Sequence, residues 1–201
     1  MKKVVKFGGS SLASAEQFKK VGAIIRSDAG RRFVVPSAPG KRFDKDTKVT
    51  DMLYACYALA AEGKDFGREL RQIEQRYQEI IDGLELKLSL EKEFSLIREN
   101  FAGKAGKDYA ASRGEYLNGI VMANYLGYEF VDAAEVIVFC EDGSFDMDKT
   151  TEVLGERLKD MKNAVIPGFY GALPDGHVIT FSRGGSDITG SLVAAAIHAD
   201  I

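Results

Sequence analysis

Short apolar runs that stop at glycine or proline alternate along this chain with longer stretches whose apolar residues recur every three or four positions. The first run, Val4-Val5-Lys6-Phe7, stops at Gly8-Gly9. Leu12, Phe18, Val21, Ile24 and Ile25 follow at helical spacing, which predicts an amphipathic helix over residues 14–27 closed by Asp28-Ala29-Gly30. Arg32-Phe33-Val34-Val35 predicts a second buried strand, stopped by Pro36-Ser37-Ala38-Pro39-Gly40. Strand, helix and strand at this spacing make a βαβ unit, which requires parallel pairing and a right-handed crossover. In such sheets ligands gather at the carboxyl ends of the strands, where both glycine-bearing loops fall.

The polar loop from Lys41 to Lys48 leads to a helix containing Met52, Leu53, Cys56 and Leu59, and Thr50 has the type and position of its N-cap. Residues 62–105 read as a helical insertion, with Phe66, Leu70, Ile73, Tyr77, Ile80 and Ile81 on one stripe and Leu90, Phe94 and Ile97 on a second. Asp82-Gly83 divides the two, and the abundant charge reads as a solvated face without chemistry. Ser112 to Glu115 has the spacing of a capping box ahead of a helical stripe from Tyr116 to Leu126, although Ser-Arg-Gly-Glu also offers binding groups. Tyr128–Asp132 and Val136–Phe139 read as strands, and Met147–Met161 as a helix. Asp175-Gly176 marks a hairpin turn. Its second strand runs into Ser182-Arg183-Gly184-Gly185-Ser186-Asp187, and a small-residue helix over 188–199 follows.

Composition narrows the function classes. The 201 residues support one domain with a well-buried core. Lysine plus arginine (27) nearly balance aspartate plus glutamate (30), and the short basic clusters at Arg31-Arg32 and Lys41–Lys48 lack a stacking pattern, so no nucleic-acid partner is expected. Cys56 and Cys140 stand far apart without a CxxC pair or a nearby histidine, and read as reduced core cysteines. His177 and His198 are isolated. The N-terminal apolar run is broken by lysine and glycine within a few residues, so neither a secretory segment nor a membrane partner is expected, and the location expected is cytoplasmic.

The chemistry concentrates at two similar turns. Each follows a strand, carries Gly-Gly-Ser and opens a helix, and each has a basic residue before the glycines, Lys6 in one and Arg183 in the other. Glycine backbone at a helix start can approach an anion closely. Lys6, inside an otherwise apolar strand, must be paired or point into a site. Together with Glu115, Asp187 and the hydroxyls of Ser10, Ser37, Thr50 and Ser186, these residues make an ionic site with no metal-ligand cluster and no nucleophile–base pair. Such a site suits phosphoryl transfer, where the protein positions two anions and neutralises charge. Arg183 suits a carboxylate and Glu115 or Asp187 an ammonium, and a small molecule bearing both is an amino acid.

Five stretches, taken in order, resemble the aspartate kinase family: Val5-Lys6-Phe7-Gly8-Gly9-Ser10-Ser11, Ser37 with Thr50-Asp51, Ser112-Arg113-Gly114-Glu115, Pro167-Gly168-Phe169-Tyr170-Gly171, and Ser182 to Asp187. The resemblance implies the amino-acid-kinase fold, an α/β three-layer αβα sandwich around a mostly parallel central sheet. It implies ATP with Mg2+, and transfer of the γ-phosphoryl group to the side-chain carboxylate of L-aspartate, giving 4-phospho-L-aspartate on the route to lysine, threonine and methionine. Lys6 and Asp187 would be catalytic, with Lys6, Phe7, Gly8, Gly9 and Ser10 around the ATP phosphates. Ser37, Thr50, Arg113, Gly114, Glu115, Arg183, Gly184, Gly185, Ser186 and Asp187 would bind substrate, Glu115 taking its ammonium group and Arg183 its α-carboxylate. In this family the catalytic domain continues past the last helix seen here into the rest of the nucleotide site, and then into ACT-type regulatory domains. Residues 1–201 are therefore expected to be the N-terminal, amino-acid-binding part of a homo-oligomeric enzyme, weak or inactive alone, with a sheet edge that favours association. Acetylglutamate kinase and glutamate 5-kinase share the opening turn and are the rival enzymes. A non-catalytic aspartate-binding or assembly fragment is the rival from another class.

Overall fold

The computed structural model describes residues 1–182 and 184–201; Arg183, assigned above to the α-carboxylate, lies outside them. The predicted opening unit is present. Strand β1 (Lys3–Phe7) leads through a 3-10 turn (Gly9–Leu12) into α1 (Ala15–Arg26), and β2 (Arg31–Pro36) pairs parallel with β1. Ser14 caps α1 by accepting the Gln17 N–H, so the helix starts after the turn rather than within it.

Four parallel strands form the central sheet in the order β1-β2-β4-β3, where β3 is Glu129–Phe130 and β4 is Ala164–Val165. Both faces are covered, which is why these strands read as continuous apolar runs. Val34 and Val165 face a core with Phe18, Ile25, Leu117 and Val121, whereas Phe33, Val35, Ala164 and Ile166 face another with Leu154, Leu192 and Val193. The first core belongs to α1, α2 (Val49–Ala61) and α5 (Lys107–Leu126), and the second to α7 (Met147–Leu158) and α8 (Gly185–Ala196). That is the expected three-layer α/β arrangement. Helices α3 (Gly67–Gly83) and α4 (Glu91–Ala102) bury Tyr77, Phe94 and Phe101 in the first core. Among the described residues no helix is long and apolar enough to cross a membrane.

Four local expectations are corrected. Helix α2 begins at Val49 with Lys48 at the N-cap position, so Thr50 sits in the first turn; Val49 is wholly buried and its N–H is already taken by Pro39 C=O. Ser112 and Glu115 form no capping box, because α5 starts five residues earlier behind Gly106 and the Ser112 hydroxyl donates back to Tyr109 C=O. The run Val136–Phe139 is no strand. Asp132 caps a single helical turn, α6 (Ala133–Val136), by accepting the Ala134 N–H, and Val138 and Phe139 make only isolated bridges to Ala172 and Phe145. Helix α8 starts at Gly185, behind Gly184 in the left-handed region at φ +67°. The hairpin stands as expected, β5 (Tyr170–Ala172) against β6 (Val178–Thr180), with Gly176 at φ +89° in its turn.

Candidate active site

The loops after β1 and β2 meet at the carboxyl end of the sheet. Ser37 N–H donates to Phe7 C=O at 3.0 Å and Gly40 N–H to Gly9 C=O at 2.8 Å. A Cβ on Gly9 would sit 2.7 Å from Ala38 O, and one on Gly40 would sit 2.7 Å from the Gly9 carbonyl carbon. Both positions therefore need glycine for close approach of backbone to backbone. The two loops form the walls of an open cleft of about 460 Å3, with Gly9 and Ser10 on one side and Ser37 to Lys41, Lys48 and Thr50 on the other.

Helix α5 supplies the cleft with Glu115. Gly114 lets the helix close on the second loop, since a Cβ there would meet Ala38 Cβ at 2.8 Å. Glu115 is consequently only 6% exposed. Burial pushes its carboxyl up to about 7, against the opposing pull of the Ala38 and Glu115 backbone N–H groups. Among the described residues its Oε2 has no hydrogen-bond partner. Asn118, less than one turn on and wholly buried, donates through Nδ2 to Ser37 C=O at 2.6 Å, and its own Oδ1 has no partner among the described residues. Of these two orphaned acceptors Glu115 Oε2 belongs to a residue of the cleft lining, where a ligand that brings a donor would satisfy it. The sequence reading missed Asn118, whose only signal is an amide inside the apolar stripe of Leu117, Ile120 and Val121.

The second glycine turn packs onto the first. Gly168 lies so close to Ser186 that a Cβ would meet Ser186 Cβ at 2.6 Å, and Gly185 is confined in the same way by Phe169 and Phe181. Phe169, at φ +84°, is held by donating its N–H to Thr189 Oγ1 at 3.1 Å. Across the gap the Ser37 hydroxyl donates to Ser186 Oγ at 3.0 Å, and Lys6 Nζ reaches Asp187 Oδ1 at 3.0 Å. Lys6, Ser37, Ser186 and Asp187, distant in sequence, are thus one constellation. Arg113 points elsewhere. Its guanidinium lies 4.3 Å from the centroid of Tyr116, 4.6 Å from that of Tyr109 and 5.4 Å from that of Tyr170, and it does not line the cleft.

Among the described residues no group of three or more histidine, cysteine, aspartate or glutamate side chains is arranged to hold a metal. A hard cation such as Mg2+ would take most of its oxygens from a bound polyphosphate, with Asp187 the carboxylate beside the phosphate turn. The amide-lined Gly9–Ser10 turn with Lys6 fits the phosphates themselves.

A parallel α/β sandwich with a glycine turn, a lysine and a buried carboxylate at its carboxyl edge defines an α/β protein with a polar, charged cleft at the end of its sheet. Residues 1–201 match the profile of the amino acid kinase family, and the chain belongs to that family. Within it the similarity is to aspartokinases. Aspartokinase 3 of Bacillus subtilis is 39% identical over 99% of this chain and 47% of its own length. The crystal structure of Clostridium acetobutylicum aspartate kinase superposes with a TM-score of 0.96 at 51% identity, covering all of this chain (100%) and 46% of that one. Escherichia coli aspartokinase III in complex with aspartate and ADP superposes at 0.79 with 26% identity, over 99% of this chain and 47% of that one. The chain spans just under half the length of these relatives.

Proposed function

We propose that residues 1–201 form the amino-acid-binding and phosphate-loop part of an aspartate kinase. The observation that carries this reading is the buried Glu115, whose Oε2 has no partner among the described residues, in the lining of a cleft whose opposite wall is the Gly9–Ser10 turn. An ammonium group satisfies the first and a phosphate the second. Ser37, Thr50 and Ser186 would orient the acceptor, Gly184 and Gly185 would let α8 approach it, and Arg183 would take its α-carboxylate. In the transfer an oxygen of the aspartate side-chain carboxylate bonds to the γ-phosphorus while the bond to the β-phosphate oxygen breaks, giving 4-phospho-L-aspartate and ADP. The acceptor carboxylate is ionised at neutral pH, so no base is required. Lys6 neutralises the moving phosphoryl group, and Asp187 keeps the lysine aimed. Mg2+, held by the nucleotide phosphates, adds charge neutralisation when bound. The complex of E. coli aspartokinase III with aspartate and ADP supports this pairing of ligands.

The test is ADP formation by the native protein carrying this chain, with aspartate, N-acetylglutamate and glutamate as rival acceptors. Aspartate alone is expected to support turnover. The 201-residue chain by itself is expected to bind aspartate while turning over weakly. Turnover with either rival acceptor and not with aspartate overturns the assignment, and binding of neither aspartate nor an ATP analogue assigns the chain a structural role.

A further inference from the structure

Two adjacent side chains leave the charged helix α3 for the interior. Tyr77, wholly buried, donates its hydroxyl to Gly114 C=O at 2.6 Å, next to Glu115. Arg76 is 3% exposed and reaches both walls of the cleft from behind. Its Nη2 donates to Gly40 C=O at 2.6 Å and to Ala13 C=O at 3.3 Å, and its Nη1 lies 2.9 Å from Asp46 Oδ2. Ala13 closes the 3-10 turn that begins at Gly9, and Gly40 is the residue whose N–H holds Gly9 C=O. Asp46 in turn accepts from Arg42 N and Nε, both at 2.9 Å, and from Nη2 at 3.0 Å, which fastens the loop on itself. These Arg42 hydrogen bonds, aided by the Arg76 charge, hold the Asp46 carboxyl well below the usual carboxylate range.

We infer that Arg76 is a positioning residue for the transfer: its planar fork sets the separation of the Gly9–Ala13 turn and the Gly40–Asp46 loop, between which phosphate and acceptor meet. The inference rests on the reading of the cleft given above. A buried guanidinium is a costly way to gain stability, since an apolar side chain of similar volume often serves as well. What an apolar side chain cannot do is bridge the Ala13 and Gly40 carbonyls, from loops far apart in sequence, through one nitrogen while placing its charge beside the Asp46 carboxylate. Displacement of one wall by about 1 Å is enough to cost on the order of a hundredfold in rate.

Arg76→Lys and Arg76→Met in the native protein test this, with kcat, both KM values, the thermal midpoint and hydrogen exchange measured on each. Arg76→Lys keeps the charge beside Asp46 and loses the fork. It is expected to hold its thermal midpoint within a few degrees and to lower kcat about 10- to 100-fold, with KM values within about threefold. Amides of residues 8–13 and 40–46 are expected to exchange faster, and those of α7 to be unchanged. Arg76→Met is expected to show the same kcat loss with a lower midpoint. Full kcat in Arg76→Lys, or a lowered midpoint with kcat per folded molecule retained in both variants, overturns the inference. Failure of the wild type to phosphorylate aspartate overturns the functional reading instead, and loop exchange then decides for or against Arg76 on its own.

Discussion

Lys6 and Asp187 meet at 3.0 Å and thereby join the turn that ends the first strand to the turn that opens the last helix. The Asp187 side chain is 70% exposed, so this ion pair is well solvated and is worth less than about 1 kcal/mol of stability. In the proposed transfer its role is to place charge. Lys6→Met is expected to leave the urea midpoint almost unchanged and to lower kcat about 100-fold or more, with a smaller effect on the KM for aspartate. A loss of stability matching the loss of activity would make the pair a structural link.

Glu115 gives the site a pH dependence whose sign is fixed by its burial. Its carboxyl is raised from 4.5 in the unfolded chain to about 7, chiefly by desolvation. Between those values the folded protein holds a proton that the unfolded chain has released. The stability contributed by this group is therefore fully present below pH 4.5 and is lost as pH rises through about 7. Glu115→Gln, which copies the protonated form, is expected to abolish that slope and to exceed the wild type by ~3 kcal/mol above pH 7 in denaturant titrations. In the proposed site aspartate binding would need the ionised form opposite the ammonium. Affinity measured by calorimetry is expected to rise between pH 6 and 8, with proton release on binding, and to be low and flat in Glu115→Gln. Wild-type affinity that ignores pH in this range would remove Glu115 from the ammonium site.

Gly9→Ala asks whether the contact between the two walls matters by itself. The new methyl would lie 2.7 Å from Ala38 O and 3.1 Å from Gly40 N, both backbone atoms that cannot swing aside. The Gly40 N–H bond to Gly9 C=O is expected to break and the walls to part. A kcat lowered about tenfold or more, with the fold intact by circular dichroism, is the expected result. Unchanged turnover would mean that the cleft tolerates a wider gap than the transfer geometry allows.

Legibility in the sequence followed the range of the interactions. The βαβ unit and its first glycine turn could be read because each is decided by neighbouring residues: an apolar run, a stop and a helical stripe. Lys6 betrayed itself as a cation where apolar side chains were due. Ser112 and Glu115 misled because three-residue spacing is shared by a capping box and by one face of a helix interior, and the deciding fact, a helix already running from Lys107, lay upstream. Val136–Phe139 misled because a short apolar run has no period to measure, so the Asp132 cap decided it. Arg76 was invisible for a different reason. Nothing in the sequence of α3 distinguishes it from its solvated neighbours, and the loops that carry Ala13, Gly40 and Asp46 have positions only the tertiary structure supplies.

Arg113 separates what the family resemblance implies from what the geometry favours. Ser-Arg-Gly-Glu as a unit assigns it to substrate, yet residues 113 and 115 project from opposite sides of α5, and the guanidinium is enclosed by Tyr109, Tyr116 and Tyr170. Its Nε donates to Ser112 Oγ at 3.1 Å, and the Tyr170 hydroxyl is tied to Asp132 Oδ1 at 2.6 Å, which fixes one wall of the enclosure. A cation held over aromatic faces away from water contributes on the order of 2 kcal/mol. Arg113→Met keeps the apolar stem and removes the charge, so it is expected to lower unfolding free energy by about that amount while kcat/KM for aspartate stays within about threefold. A large rise in the aspartate KM at unchanged stability would return Arg113 to the substrate site and require the aromatic enclosure to open when aspartate binds.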